Sequence, residues 1–162
     1  MPLRLEAAGG MKRMILPASL ILLVALVAFA AYVRLAPVDA EGWHVAAASV
    51  IPASAPALAD PVAMPRGAWA RIALPGQPAD ALQRIDSIAT ATPRTRRLAG
   101  SPEEGRITYV TRSRLLGYPD MTTVEAAPSP DGTMLTLAAR QRFGAEDMGV
   151  NAARLRDWLG RL

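Results

Sequence analysis

The sequence predicts an α+β protein: one N-terminal transmembrane helix, then a small β-α-β-β-β-β-α domain with a mainly antiparallel sheet and its helices on one face. Three observations carry this. Met14–Val33 holds no charged residue. The stretch after it is broken repeatedly by proline. Beyond Gly67, apolar residues recur at strand and helix periods.

Met14–Val33 is twenty residues long, and at about 1.5 Å per residue it spans about 30 Å, the hydrocarbon thickness of a bilayer. Pro17 falls in the first turn of this run, where a missing N–H is tolerated. Tyr32 and Arg34 suit the headgroup region at the far end. Lys12 and Arg13 precede the run, so the positive-inside rule makes residues 1–13 a cytoplasmic tail. The rest is then periplasmic, on a single-pass protein of a bacterial inner membrane. Ala28-Phe29-Ala30 has the small-x-small form of a signal-peptide cleavage site. Because the apolar run continues past Ala30, an uncleaved anchor is the preferred reading. Met11 offers a second start beside Met1.

Net charge is +4 over 162 residues. Arg4, Lys12, Arg13 and Arg34 against Glu6 account for three of those charges before residue 35. The remainder is nearly balanced and offers no electrostatic case for nucleic acid. The chain has no cysteine, which excludes disulfides, thiol nucleophiles and thiolate metal sites. His44 is the sole histidine, so no multi-histidine metal site is available, and no cofactor is predicted.

Residues 34–66 read as an Ala/Pro-rich linker. Pro52, Pro56, Pro61 and Pro65 recur every four or five residues and oppose both helix and central strand. The expectation is an extended tether with His44 outside the folded core.

The globular domain is placed at 67–162. Ala68–Leu74 reads as a strand stopped by Pro75-Gly76, and Pro78 opens a helix to about Ala91 with Leu82, Ile85 and Ala89 on one stripe. Arg97–Gly100 and Arg106–Arg114 follow as strands. Met121–Ala127 and Thr133–Arg142 form a hairpin around Pro128–Gly132. Asn151 is expected to cap a last helix that buries Leu155, Trp158, Leu159 and Leu162.

Arg142-Phe143-Gly144-Ala145-Glu146-Asp147-Met148-Gly149-Val150-Asn151 resembles the closing pattern Arg-x-Gly-x-x-Asp-x-Gly-Val-Asn of the bacterial family "domain of unknown function 1499". Pro93–Arg97, Tyr109–Asp120, Arg34–Pro37 and Trp43-His44 are also similar to it. Gln141 departs from the pattern, which has a serine there. The resemblance implies a family and no activity.

Strand alternation puts Leu135, Leu137 and Ala139 on one side, with Arg140 and Arg142 on the other. Arg112 and Arg114 are likewise two apart. Four guanidiniums on one face would suit a planar anion, with Asp120, Glu125 and Asp147 close enough in sequence to answer them. The bland reading is a set of internal Arg–carboxylate bridges. The candidate ligand-binding residues are therefore Arg112, Arg114, Asp120, Arg140, Arg142 and Asp147. The expected function is a non-enzymatic, membrane-anchored binding or scaffolding module of the cell envelope. Its partners would be the bilayer, through Met14–Val33, and an anionic small molecule or envelope protein. The alternative is a small enzyme with Asp120 or Asp147 as general base.

Overall fold

The computed structural model describes residues 6–52 and 54–162. The chain divides into two units, the first ending at Ala36 and the second running from Pro37 to Leu162. In the first, helix α1 spans Glu6–Leu35. It starts earlier than the apolar run, so Pro17 lies inside it and not in its first turn. Its stretch Pro17–Leu35, with a mean hydropathy of 2.3, is long and apolar enough to cross a membrane. Residues 1–5 of the expected cytoplasmic tail lie outside the described residues.

In the second unit six strands form one sheet: β1 (Leu58–Met64), β2 (Gly67–Leu74), β3 (Thr95–Ser101), β4 (Arg106–Arg112), β5 (Pro119–Ser129) and β6 (Gly132–Gln141). Their order is β1-β2-β6-β5-β4-β3, and every pair is antiparallel. A short helix α2 (Ala40–Trp43) precedes the sheet, α3 (Pro78–Ala91) links β2 to β3, and α4 (Val150–Gly160) closes the chain. Alternation along the strands splits the sheet into two apolar faces. Ala68, Ala70, Ile107, Tyr109, Val124, Leu135, Leu137 and Ala139 meet Leu82 and Ile85 of α3 and Leu155 and Trp158 of α4. Tyr109 and Trp158 pack edge to face, their centroids 5.5 Å apart.

The second face corrects the expected tether. Residues 37–52 and 54–56 lie across it as a strap, and 58–64 joins the sheet as its edge strand. Ala47, Ile51 and Ala55 are buried against Trp69 of β2 and Ala138 of β6. Short turns satisfy part of the strap's backbone, and the sheet supplies donors for carbonyls that these turns leave open. Arg140 Nη2 donates to the Trp43 carbonyl at 2.6 Å, Arg71 Nη1 to that of Ala55 at 2.7 Å, and Arg142 Nη1 to that of Pro37 at 2.5 Å. In the other direction, the Ala47 amide donates to Glu125 Oε2 at 2.9 Å. His44, expected outside the core, sits on the domain with Nδ1 2.9 Å from Thr108 Oγ1. Gly100 leaves room for it: a Cβ there would stand 2.8 Å from the His44 ring and 2.1 Å from the Arg106 carbonyl oxygen. Pro61 is tolerated because β1 is an edge strand.

Candidate functional site

One end of the sheet opens into a cleft of about 740 Å³. Three connections build it. The turn after α3 brings Pro93 and Arg94, the end of β4 and the loop after it bring Arg112, Arg114, Leu115 and Leu116, and the approach to α4 brings Met148 and Val150. Arg154, from the second turn of α4, completes the wall.

The β4–β5 loop is closed on itself. Ser113 N donates to the Tyr118 carbonyl at 2.9 Å, and Tyr118 N donates back to Ser113 Oγ at 3.0 Å. Arg112 Nη1 ties the loop to its strand through the Gly117 carbonyl at 2.9 Å. Gly117 takes a φ of 74°, which glycine adopts without strain. Two cleft residues that are not glycine also hold positive φ, Arg94 at 61° and Met148 at 51°. Such conformations cost about 1–3 kcal/mol each and persist only where the surroundings impose them.

The cleft is lined by four arginines, and no Asp or Glu among the described residues lines it. Burial, and then the neighbouring guanidiniums of Arg96 and Arg142, hold Arg112 below the usual arginine range. Arg154 is answered from behind the wall: its Nη2 meets Asp120 Oδ2 at 3.0 Å, and its Nη1 meets Asn151 Oδ1 at 2.7 Å. Only 8% of the Arg154 side chain is exposed, so this is a buried ion pair. Burial pushes the Asp120 carboxyl above the usual carboxylate range, and the opposing pull of Arg154 does not fully restore it.

Of the six candidate residues, the structure brings Arg112 and Arg114 together in the cleft. Arg114 lies beyond the end of β4, so the expected shared strand face is not formed. Arg142 approaches Arg112 but donates to the strap. Arg140 lies elsewhere, beneath Trp43, with its guanidinium 5.0 Å from that ring. It lines a second, mainly apolar cleft of about 710 Å³ with Trp43, Trp69, Val62 and Met64. Burial lowers the pKa of Arg140, and its Nε is buried without a hydrogen-bond partner among the described residues. The structural carboxylate partners are Arg154 for Asp120 and Arg106 for Glu125.

Each aspartate is engaged in a structural contact. Asp120 does not line the cleft and is engaged by Arg154. Asp147 closes the loop before α4, accepting from Gly149 N at 3.0 Å and Asn151 N at 3.2 Å. It thus does the work assigned to Asn151, which instead lies buried in the first turn of a helix entered through Gly149 at φ 78°. Gln141 is buried, and its amide nitrogen has no hydrogen-bond partner among the described residues. Among the described residues no three His, Asp or Glu side chains gather as metal ligands.

Arg154 and Arg94 were not singled out from the sequence as site residues. For Arg154 a signal existed: Asn151, Arg154, Leu155 and Trp158 follow the i, i+3, i+4, i+7 rule of a buried helix face. From the sequence, Arg94, Arg96 and Arg97 read as a solvated basic turn, with a contact to anionic lipid headgroups as the alternative.

A family model described as "Protein of unknown function (DUF1499)" matches residues 46–162. No curated protein and no solved structure matches the chain.

Proposed function

This chain belongs to the DUF1499 family of proteins of unknown function, and from that premise we propose that it is a non-enzymatic binding module held at a membrane by α1, with the cleft at the sheet end as its site for an anionic ligand. The observation that carries this is the lining: Arg94, Arg112, Arg114 and Arg154 stand in one concavity that no carboxylate among the described residues lines. Arg154 is already paired with Asp120. Arg94, Arg112 and Arg114 stand with it around the same cleft, and a guanidinium's planar fork suits phosphate or carboxylate. Holding like charges together works against folding, and binding sites commonly carry that cost. Lys12 and Arg13 before the apolar run favour a cytoplasmic N-terminus and a domain on the periplasmic side of a bacterial inner membrane.

The test is a thermal melt of the full chain with orthophosphate and with short dicarboxylates, repeated for Arg112→Ala and Arg114→Ala. A ligand at a hundred times its Kd stabilises by about 2.7 kcal/mol. The expected outcome is an anion-dependent rise in Tm that both variants lose, while Arg114→Ala melts no lower than the parent without ligand. A parent melt indifferent to every anion would sink the reading.

A further inference from the structure

The cleft is as unusual for its apolar rim as for its charge. Leu115 is 81% exposed and Met148 87% exposed, and Leu116 and Val150 are also exposed beside them. All four line the same cleft as Arg94, Arg112 and Arg114. The exposed surface of the two leucines in sequence between Arg114 and Gly117 gains nothing from burial in the folded domain. Met148 is held outward by a left-handed backbone that a flexible loop would not retain unaided. A small inorganic anion explains the arginines and leaves this rim unexplained. A ligand with a compact anionic head and an apolar tail accounts for both. The same chain carries a helix long and apolar enough to enter a membrane. A supply of such amphiphiles therefore surrounds any protein this helix anchors.

We infer that the cleft takes one anionic phospholipid, its phosphate held by Arg94, Arg112 and Arg114 and its acyl chain lying along Leu115, Leu116, Met148 and Val150. This rests on the anion-binding reading above and specifies its ligand. The volume of about 740 Å³ is that of a small-ligand site. It accommodates a head and part of a chain, the rest remaining in the bilayer. Burying one methylene is worth about four-fold in affinity, so a few contacts along the rim decide the preference for a lipid over its bare headgroup.

The experiment uses the full chain in nanodiscs of phosphatidylcholine, doped at a few mole per cent with phosphatidic acid carrying a photoactivatable acyl chain. Photoactivatable phosphatidylcholine serves as the neutral control. Cross-linked peptides are mapped by mass spectrometry. The expected result is labelling of 113–118 and 148–150 by phosphatidic acid, about five-fold or more above phosphatidylcholine. Arg112→Ala with Arg114→Ala should reduce it to the neutral level. Leu115→Asn with Leu116→Asn should reduce the labelling yet keep the melt response to glycerol 3-phosphate. Equal labelling by the two lipids overturns the inference. So does full displacement by glycerol 3-phosphate at the concentration that half-saturates its own melt shift; in that case the cleft takes a free anion and the broader reading stands. Absence of both lipid-selective labelling and any melt response to glycerol 3-phosphate overturns both.

Discussion

Replacing Arg154 with methionine keeps an unbranched apolar stem and removes the charge, leaving Asp120 buried beneath α4 without its partner. Breaking one side of a buried pair costs about 3–5 kcal/mol. An upper limit follows from titration. A carboxyl with a usual value of about 3.9 takes up a proton at pH 7 for about 4 kcal/mol, so charge burial cannot cost more than that. The loss at pH 7 is then about 3–4 kcal/mol, or a fall in Tm of roughly 10–15 °C for a unit of this size. The sign with pH is definite. Arg154 is what opposes burial at Asp120, so its removal pushes an already raised carboxyl further up. A raised acid leaves stability fully present below its unfolded value and loses it as pH rises through the folded value. The deficit of Arg154→Met should therefore shrink toward about 1 kcal/mol near pH 4, the worth of the lost hydrogen bond to Asn151. Adding Asp120→Asn should recover most of the loss at pH 7. Circular-dichroism melts of the full chain at pH 4, 5.5 and 7 measure all of this. A deficit that is flat across this range, or below about 1 kcal/mol at pH 7, would refute the buried-pair reasoning.

Trp158→Ala should cost about 3–5 kcal/mol, since it empties the core between α3, α4 and the sheet and removes the Nε1 bond to Thr92 Oγ1 at 3.0 Å; denaturant midpoints report it. Gly100→Ala should lower Tm clearly, because its Cβ meets both a backbone oxygen and His44, and a normal melt would show that the strap tolerates displacement there. Arg140→Met should expose residues 45–56 to limited proteolysis with little change in the core melt; unchanged cleavage would mean that this guanidinium does not hold the strap. Fractionation should leave the chain in the membrane pellet through a high-salt wash, and an N-terminus found at Ala31 would replace the anchor by a cleaved signal peptide.

Where side-chain periodicity is strong the fold was legible. Helix α3 runs Pro78–Ala91, as its proline start and apolar stripe indicate, and the β5–β6 hairpin and the inner positions Leu135, Leu137 and Ala139 follow from alternation. The strap was not legible, because what orders it is remote. Trp43 and Pro37 find their donors on Arg140 and Arg142, 97 and 105 residues away. A composition rule for Pro/Ala-rich runs assumes solvent as the partner of their carbonyls and has no way to anticipate those arginines. For the same reason Arg140 and Arg142 resembled anion ligands, when the acceptors they meet are the neutral main-chain carbonyls of Trp43 and Pro37. At the cleft, Arg112 and Arg114 were visible as a pair. The turn that adds Arg94 and the loop that adds Met148 join them only through tertiary closure of the sheet end.

The strap also dictates the order in which the molecule can be completed. Residues 37–56 are synthesised before any strand, yet the groups that fasten them stand on β2, β5 and β6, the last of these ending at Gln141. Until that final strand has been delivered, the early segment lacks Ala138 and Arg140, and the surface that buries Ala47, Ile51 and Ala55 is incomplete. Contacts this distant along the chain are characteristic of slow folding. The covered face therefore closes last, although its cover is made first, and a ribosome or translocon halted anywhere short of β6 holds a chain whose outer face is still open.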